Sequence, residues 1–113
     1  MKVVVKNGCD HVLSRKDVEA VMLKLPARLN RSVNTVGLCQ GDENGIELSF
    51  HKKEMSLELF SPRNVESISK GEALALLVAG LLCVDDRGEW PERMSGSKVA
   101  AYMAEAKRLL GGQ

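Results

Sequence analysis

The chain has 113 residues, the length of one domain, and its 16 basic residues almost balance its 15 acidic residues. A net charge of +1 argues against a dedicated polyanion binder, whose domain carries a clear basic excess. Apolar residues make up 44% of the chain but aromatic residues only 4%, so we expect an aliphatic core. We predict a single domain over residues 1–113.

The cysteines favour a reducing compartment. Cys9, Cys39 and Cys83 are odd in number and widely spaced, which does not fit a disulfide framework. No stretch approaches the ~18–20 apolar residues that a membrane span requires. We therefore expect a cytoplasmic protein without membrane association.

The N-terminal third predicts a strand and then a helix. Val3–Val5 is a β-branched run typical of a strand. Ser14 is a good helix N-cap, with the acidic Asp17 three positions later. Apolar residues then recur at helical spacing from Val18 to Leu25, and Pro26 ends the helix.

Three further strands are predicted over residues 33–39, 46–50 and 55–59. The last two alternate apolar and polar residues, as strands with one covered face do. Pairing the apolar positions in antiparallel register sets Leu38 opposite Ile46, and Phe50 opposite Met55. The second hairpin then turns at Lys52 and Lys53. We predict a four-stranded, mostly antiparallel sheet, with the direction of the first strand left open.

Two helices are predicted after the strands. Ser69 and Glu72 form a capping box, and residues 73–84 contain no polar side chain. A helix that is apolar on every side must be covered on every side. The last helix, capped by Ser95 or Ser97, supplies part of that cover. The order β-α-β-β-β-α-α predicts an α+β fold with the helices packed on one face of the sheet.

Catalytic and metal-binding patterns are sparse. Neither of the glycine-rich phosphate-binding motifs occurs, and no closely spaced cysteine pair suggests zinc. Cys39 and His51 would be neighbours across the predicted sheet, as a thiol and its general base must be. We predict no catalytic residue, no metal and no cofactor, and we keep a small metal-dependent hydrolase as an alternative.

The order of elements over residues 1–84 is similar to that of the N-terminal core of the zincin metalloproteases. The active helix of that family carries H-E-x-x-H, and the comparable stretch here is residues 71–75. Only Glu72 matches, and both metal-binding histidines are missing. The resemblance implies at most a degenerate, inactive relative.

The sequence best supports a non-enzymatic module that acts through protein contacts, with a homodimer as the expected form. The apolar helix offers more surface than one sheet face and one helix can cover. Trp90 follows it in a charged loop, flanked by Arg87 and Arg93, and Trp and Arg are frequent interface anchors. A second alternative, less favoured, is nucleic-acid binding through the hairpin at Lys52 and Lys53.

Overall fold

Four strands form a single sheet in the computed structural model, which describes the chain except for residues 7–9, 42–44, 91–95 and 112–113. The strands lie in the order β1-β2-β4-β3, and they are β1 (Lys2–Val5), β2 (Thr35–Gln40), β3 (Glu47–His51) and β4 (Ser56–Ser61). The helices are α1 (Arg15–Met22), the short α2 (Ala27–Asn30), α3 (Lys70–Arg87) and α4 (Gly96–Leu109). The α+β character is as predicted.

The prediction of a mostly antiparallel sheet is wrong. β1 runs parallel to β2, β2 runs parallel to β4, and β3 alone is antiparallel to its neighbour β4. The predicted pairing of Leu38 with Ile46 does not form, because β4 lies between β2 and β3. Residues 36–39 of β2 are buried on both faces, which is the pattern of a central parallel strand.

The hairpin between β3 and β4 forms in a different register from the predicted one. Phe50 faces Leu57 rather than Met55, so the turn spans four residues instead of two. Met55 takes a left-handed conformation with φ of 49°, and its N–H donates to the carbonyl oxygen of Lys52 at 3.2 Å. Because the shift is by two residues, every side chain keeps its predicted face.

The predicted N-caps at Ser14 and Ser69 are confirmed, whereas for the last helix Ser97 lies inside α4 and Ser95 lies outside the described residues. The Ser14 hydroxyl accepts from the N–H of Asp17, whose carboxylate accepts from the N–H of Ser14. The Ser69 hydroxyl accepts from the N–H of Glu72 at 3.2 Å. Helix α3 is longer than predicted: residues 85–87 form its last turn, and the left-handed Gly88 ends it.

The segment before α1 is fastened to the C-terminal end of β4. His11 accepts the N–H of Leu13 on Nδ1 at 2.9 Å, so its proton lies on Nε2, which donates to the carbonyl oxygen of Leu59 at 3.0 Å. The N–H of Val12 donates to the buried hydroxyl of Ser61 at 3.1 Å. Burial lowers the pKa of His11 below its ordinary value of 6.5.

Helix α3 is the centre of the core. Its residues 77–84 are all buried, and the helix packs against the sheet and against helices α2 and α4. Val18 and Met22 of α1 and Ala106 of α4 complete the enclosure. The apolar run is thus covered within one copy of the chain, apart from Leu74 and Leu76, which are half-buried. In the described part of the chain, no helix has the length and apolarity to cross a membrane.

Candidate functional site

The hydrogen bonds at the two ends of β4 fix which way its peptide groups point. The carbonyl oxygen of Ser61 accepts from the N–H of Gly41 at 2.9 Å, and that of Met55 accepts from Asn34 at 2.7 Å. Both donors lie on the β2 side of the sheet. Peptide groups alternate sides along a strand, so the N–H and C=O groups of the even-numbered residues of β4 point toward β3.

The outer edge of β3 follows from the register. The even-numbered residues of β4 face residues 47, 49 and 51 of β3, which therefore bond to β4. Leu48 and Phe50 turn their N–H and C=O groups away from the sheet. No described strand lies on that side, so β3 presents an open edge.

A cavity of about 470 Å³ adjoins the first half of this edge. Its walls come from β3, from β4, from α3 and from the segment after α3; the lining residues are Ile46, Glu47, Leu48, Ser49, Phe60, Leu76 and Trp90. Leu76 and Trp90 are both half-buried. The cavity therefore offers apolar surface directly beside backbone groups of β3 that bond to no described strand.

Trp90 reaches this position because the chain reverses after α3. Gly88 adopts φ of 73°, which favours glycine, and ends the helix two residues before the tryptophan. The thiol of Cys83 then lies 3.1 Å from the carbonyl oxygen of Glu89 and donates to it. Burial raises the pKa of this thiol, which keeps it protonated as a donor.

Gly80 lets β3 approach α3 closely. A β-carbon at this position would overlap the end of the Leu48 side chain and would contact Leu57 at 3.5 Å. Leu48 therefore lies directly on the helix and forms the floor of the cavity. We call the open edge at Leu48 and Phe50, together with this cavity, the β3 groove.

The predicted interface residues separate in the structure. Trp90 lines the β3 groove, whereas Arg87 donates through Nε to the Tyr102 hydroxyl at 2.9 Å. That hydroxyl donates to Asp86 at 2.7 Å, so Arg87 helps to hold α4 on α3. Arg93 lies outside the described residues.

Lys52 and Lys53 are exposed in the turn after β3. The cavity lies beside residues 46–49, toward the other end of that strand. The two lysines are therefore separate from the cavity.

Cys39 and His51, the pair considered for the hydrolase alternative, do not contact each other. They stand on β2 and β3, and Glu58 of β4 lies between them. The Cys39 thiol donates to one carboxylate oxygen of Glu58 at 3.3 Å, and the other oxygen pairs with His51. The Glu58 carboxylate therefore separates the Cys39 thiol from the His51 imidazole.

The part of the chain that the structure describes contains no set of side chains that could bind a metal ion. No three His, Cys, Asp or Glu side chains converge there on one point. Glu72, the residue in common with the zincin motif, is exposed in the first turn of α3. Cys9 lies outside the described residues.

No protein-family model, curated protein or solved structure shows significant similarity to this chain. The function must therefore be argued from the geometry of the site. The sequence located one part of that site, Trp90. It did not locate the open edge, because the predicted meander placed β3 between two other strands.

Proposed function

We propose that this chain is a non-enzymatic protein-interaction module that binds an extended segment as a fifth strand on β3. The observation that carries the proposal is the position of the outward peptide groups of Leu48 and Phe50 beside the cavity at Trp90. In strand addition, backbone hydrogen bonds supply affinity, and pockets for alternate side chains supply specificity.

The side chains of the bound segment would alternate between two environments. A residue opposite Leu48 or Phe50 directs its side chain to the helix side of the sheet, because directly opposed residues share a face. There it meets the cavity between Leu76 and Trp90. The residue of the bound segment that lies opposite Ser49 directs its side chain to the other side of the sheet. The segment we expect is therefore apolar at every second position.

The other hypotheses have less support. Nucleic-acid binding would rely on Lys52 and Lys53, but Glu54 is exposed in the same turn and would repel phosphate. A hydrolase would need Cys39 in contact with His51 or a metal ligand set, but Glu58 separates the first pair and no ligand set converges among the described residues. We further propose a cytoplasmic location, which the free, buried thiol of Cys83 supports.

Selection from a random heptapeptide library on the immobilised chain tests the proposal. We expect the enriched peptides to carry apolar residues at alternate positions and to change the fluorescence of Trp90, the single tryptophan. Trp90→Ala should weaken their binding by about tenfold or more, as loss of a central aromatic anchor does.

Leu23→Ala is the matched control, because Leu23 is apolar and 89% exposed but does not line the β3 groove. Its affinity for the peptides should equal that of the unmodified chain. Leu76→Gln provides a second groove variant if Trp90→Ala unfolds. The proposal fails if no sequence is enriched, or if both groove variants bind the peptides as well as the control.

A further inference from the structure

We infer that the strand bound at the β3 groove is β3 of a second copy of this chain. The two copies would form a two-fold symmetric dimer with one continuous eight-stranded sheet. The inference rests on the proposed function, since it requires that β3 accept a strand. It names the partner, and three features of the edge support it.

The first feature is the register. The outward peptide groups belong to Leu48 and Phe50, two residues apart, with Ser49 between them. A two-fold axis at Ser49 pairs Leu48 of one copy with Phe50 of the other, twice, so every outward group of the edge finds a partner. These residues share the helix side of the sheet, so both helical layers lie on the same side of the joined sheet.

The second feature is the fit of the side chains. In this register, Phe50 of the second copy lies beside Leu48 and faces the cavity at Leu76 and Trp90. Phe50 is only half-buried within its own copy, so apolar aromatic surface remains for the contact. Aromatic residues are frequent anchors at the centre of interfaces.

The third feature is charge. On the polar face of the sheet, this register sets Glu47 of each copy opposite His51 of the other. Glu47 is exposed and makes no ion pair with any described residue. His51 pairs with Glu58 through Nε2, so in the protonated ring Nδ1 remains to donate to the second carboxylate. Opposite charges directly across two strands stabilise the pairing.

The other edge of the sheet lacks this self-complementarity. Lys2 and Lys6 bond through their N–H groups to β2, so Val3 and Val5 turn their peptide groups outward on β1. A two-fold axis at Val4 would set Lys2 of each copy opposite Lys6 of the other. Lysines at such positions discourage pairing between edges. The charges thus favour self-pairing at β3 and oppose it at β1.

Disulfide trapping tests the register. Ser49 faces itself across the axis as a pair without hydrogen bonds, at which Cα atoms are about 4.5 Å apart, within the reach of a disulfide. Ser49→Cys should therefore give a covalent dimer under mild oxidation. Glu47→Cys is the matched control, since the two copies of position 47 are four residues apart, roughly 13 Å, and cannot be linked. The unmodified chain controls for the native cysteines.

Solution mass by light scattering tests the affinity. Glu47→Lys should raise the dimer dissociation constant by about tenfold, because both ion pairs are reversed. Glu19→Lys makes the same charge change at an exposed site on α1, beside β1 at the opposite edge of the sheet, and should leave the constant unchanged.

A monomer at every concentration would overturn the inference, as would equal cross-linking at positions 47 and 49. If the monomer still binds the selected heptapeptides, the proposed function stands and only the partner is wrong. If it binds neither itself nor the peptides, both proposals fail.

Discussion

The side chain of Leu48 on β3 lies against Gly80 of α3, in the space that a β-carbon at position 80 would occupy. This contact determines how closely the edge strand approaches the central helix. It also determines the shape of the cavity, because Leu48 is part of its lining. A glycine in the middle of an apolar helix therefore has a packing role that offsets its low helix propensity.

Gly80→Ala should lower the free energy of unfolding by about 1 kcal/mol. Overpacking against Leu48 and Leu57 costs roughly 1–3 kcal/mol, and the better helix propensity of alanine returns up to about 1 kcal/mol. Urea unfolding measures the change, and a double-mutant cycle with Leu48→Ala should show that the cost depends on Leu48. Gly71→Ala is the control, because its β-carbon would meet only Ser69 at 3.9 Å. Equal effects of both alanines would contradict this packing.

Met55→Asn should raise the free energy of unfolding by up to about 1 kcal/mol. Met55 has a positive φ of 49°, a conformation that asparagine tolerates better than methionine. Lys53→Asn is the control, since position 53 lies in the same turn without a positive φ. Thermal unfolding of the two variants gives the comparison. A loss of stability in Met55→Asn would mean that packing of the half-buried methionine outweighs the backbone strain.

Stability should decrease as the pH falls below the ordinary pKa of histidine, because of His11. Burial lowers its pKa in the folded chain, so the unfolded chain binds a proton more readily. The contribution of His11 to the free energy of unfolding is complete above pH 6.5, the ordinary pKa. It decreases as the pH falls from that value toward the lowered pKa of the folded chain, and below the folded pKa it no longer changes. Urea midpoints between about pH 7.5 and about pH 5.5 measure this slope. His11→Gln should flatten it, and His51→Gln should retain the His11 contribution.

Arg87→Ala should leave peptide binding at the β3 groove unchanged within about twofold, well below the effect expected for a central anchor. Arg87 bonds to Tyr102 rather than lining the groove, so its loss weakens only the contact between α3 and α4. Fluorescence titration with the selected peptides measures the affinity. A loss as large as that of Trp90→Ala would place Arg87 in the binding surface.

The local features of the fold could be predicted from the sequence, but the order of the strands could not. Ser14 and Ser69, each with an acidic residue three positions later, predict the starts of α1 and α3. The alternation of apolar and polar residues predicts which side chains of β3 and β4 face the core. The position of β4 between β2 and β3 depends on contacts between distant residues, which alternation does not specify. The run of residues 36–39 without a polar side chain is the sequence feature that indicates a central parallel strand.

The candidate site was predictable only in part, for the same reason. Trp90 stands out as the single tryptophan beside a long apolar helix. Its partner surface, the open edge at Leu48 and Phe50, exists only because β3 is the last strand of the sheet. Arg87 is of a residue type that is frequent among interface anchors, but its guanidinium donates a hydrogen bond to Tyr102 of the same copy.

Amide hydrogen exchange at residues 48 to 51, measured by NMR with and without a selected peptide, tests the central claim most directly. In the free chain at low concentration, the amides of Ser49 and His51 should be protected by β4, whereas those of Leu48 and Phe50 should exchange quickly. Saturation with peptide should slow exchange at Leu48 and Phe50 and leave Ser49 and His51 unchanged. Bound peptide with no new protection at Leu48 and Phe50 would show that no strand adds to β3.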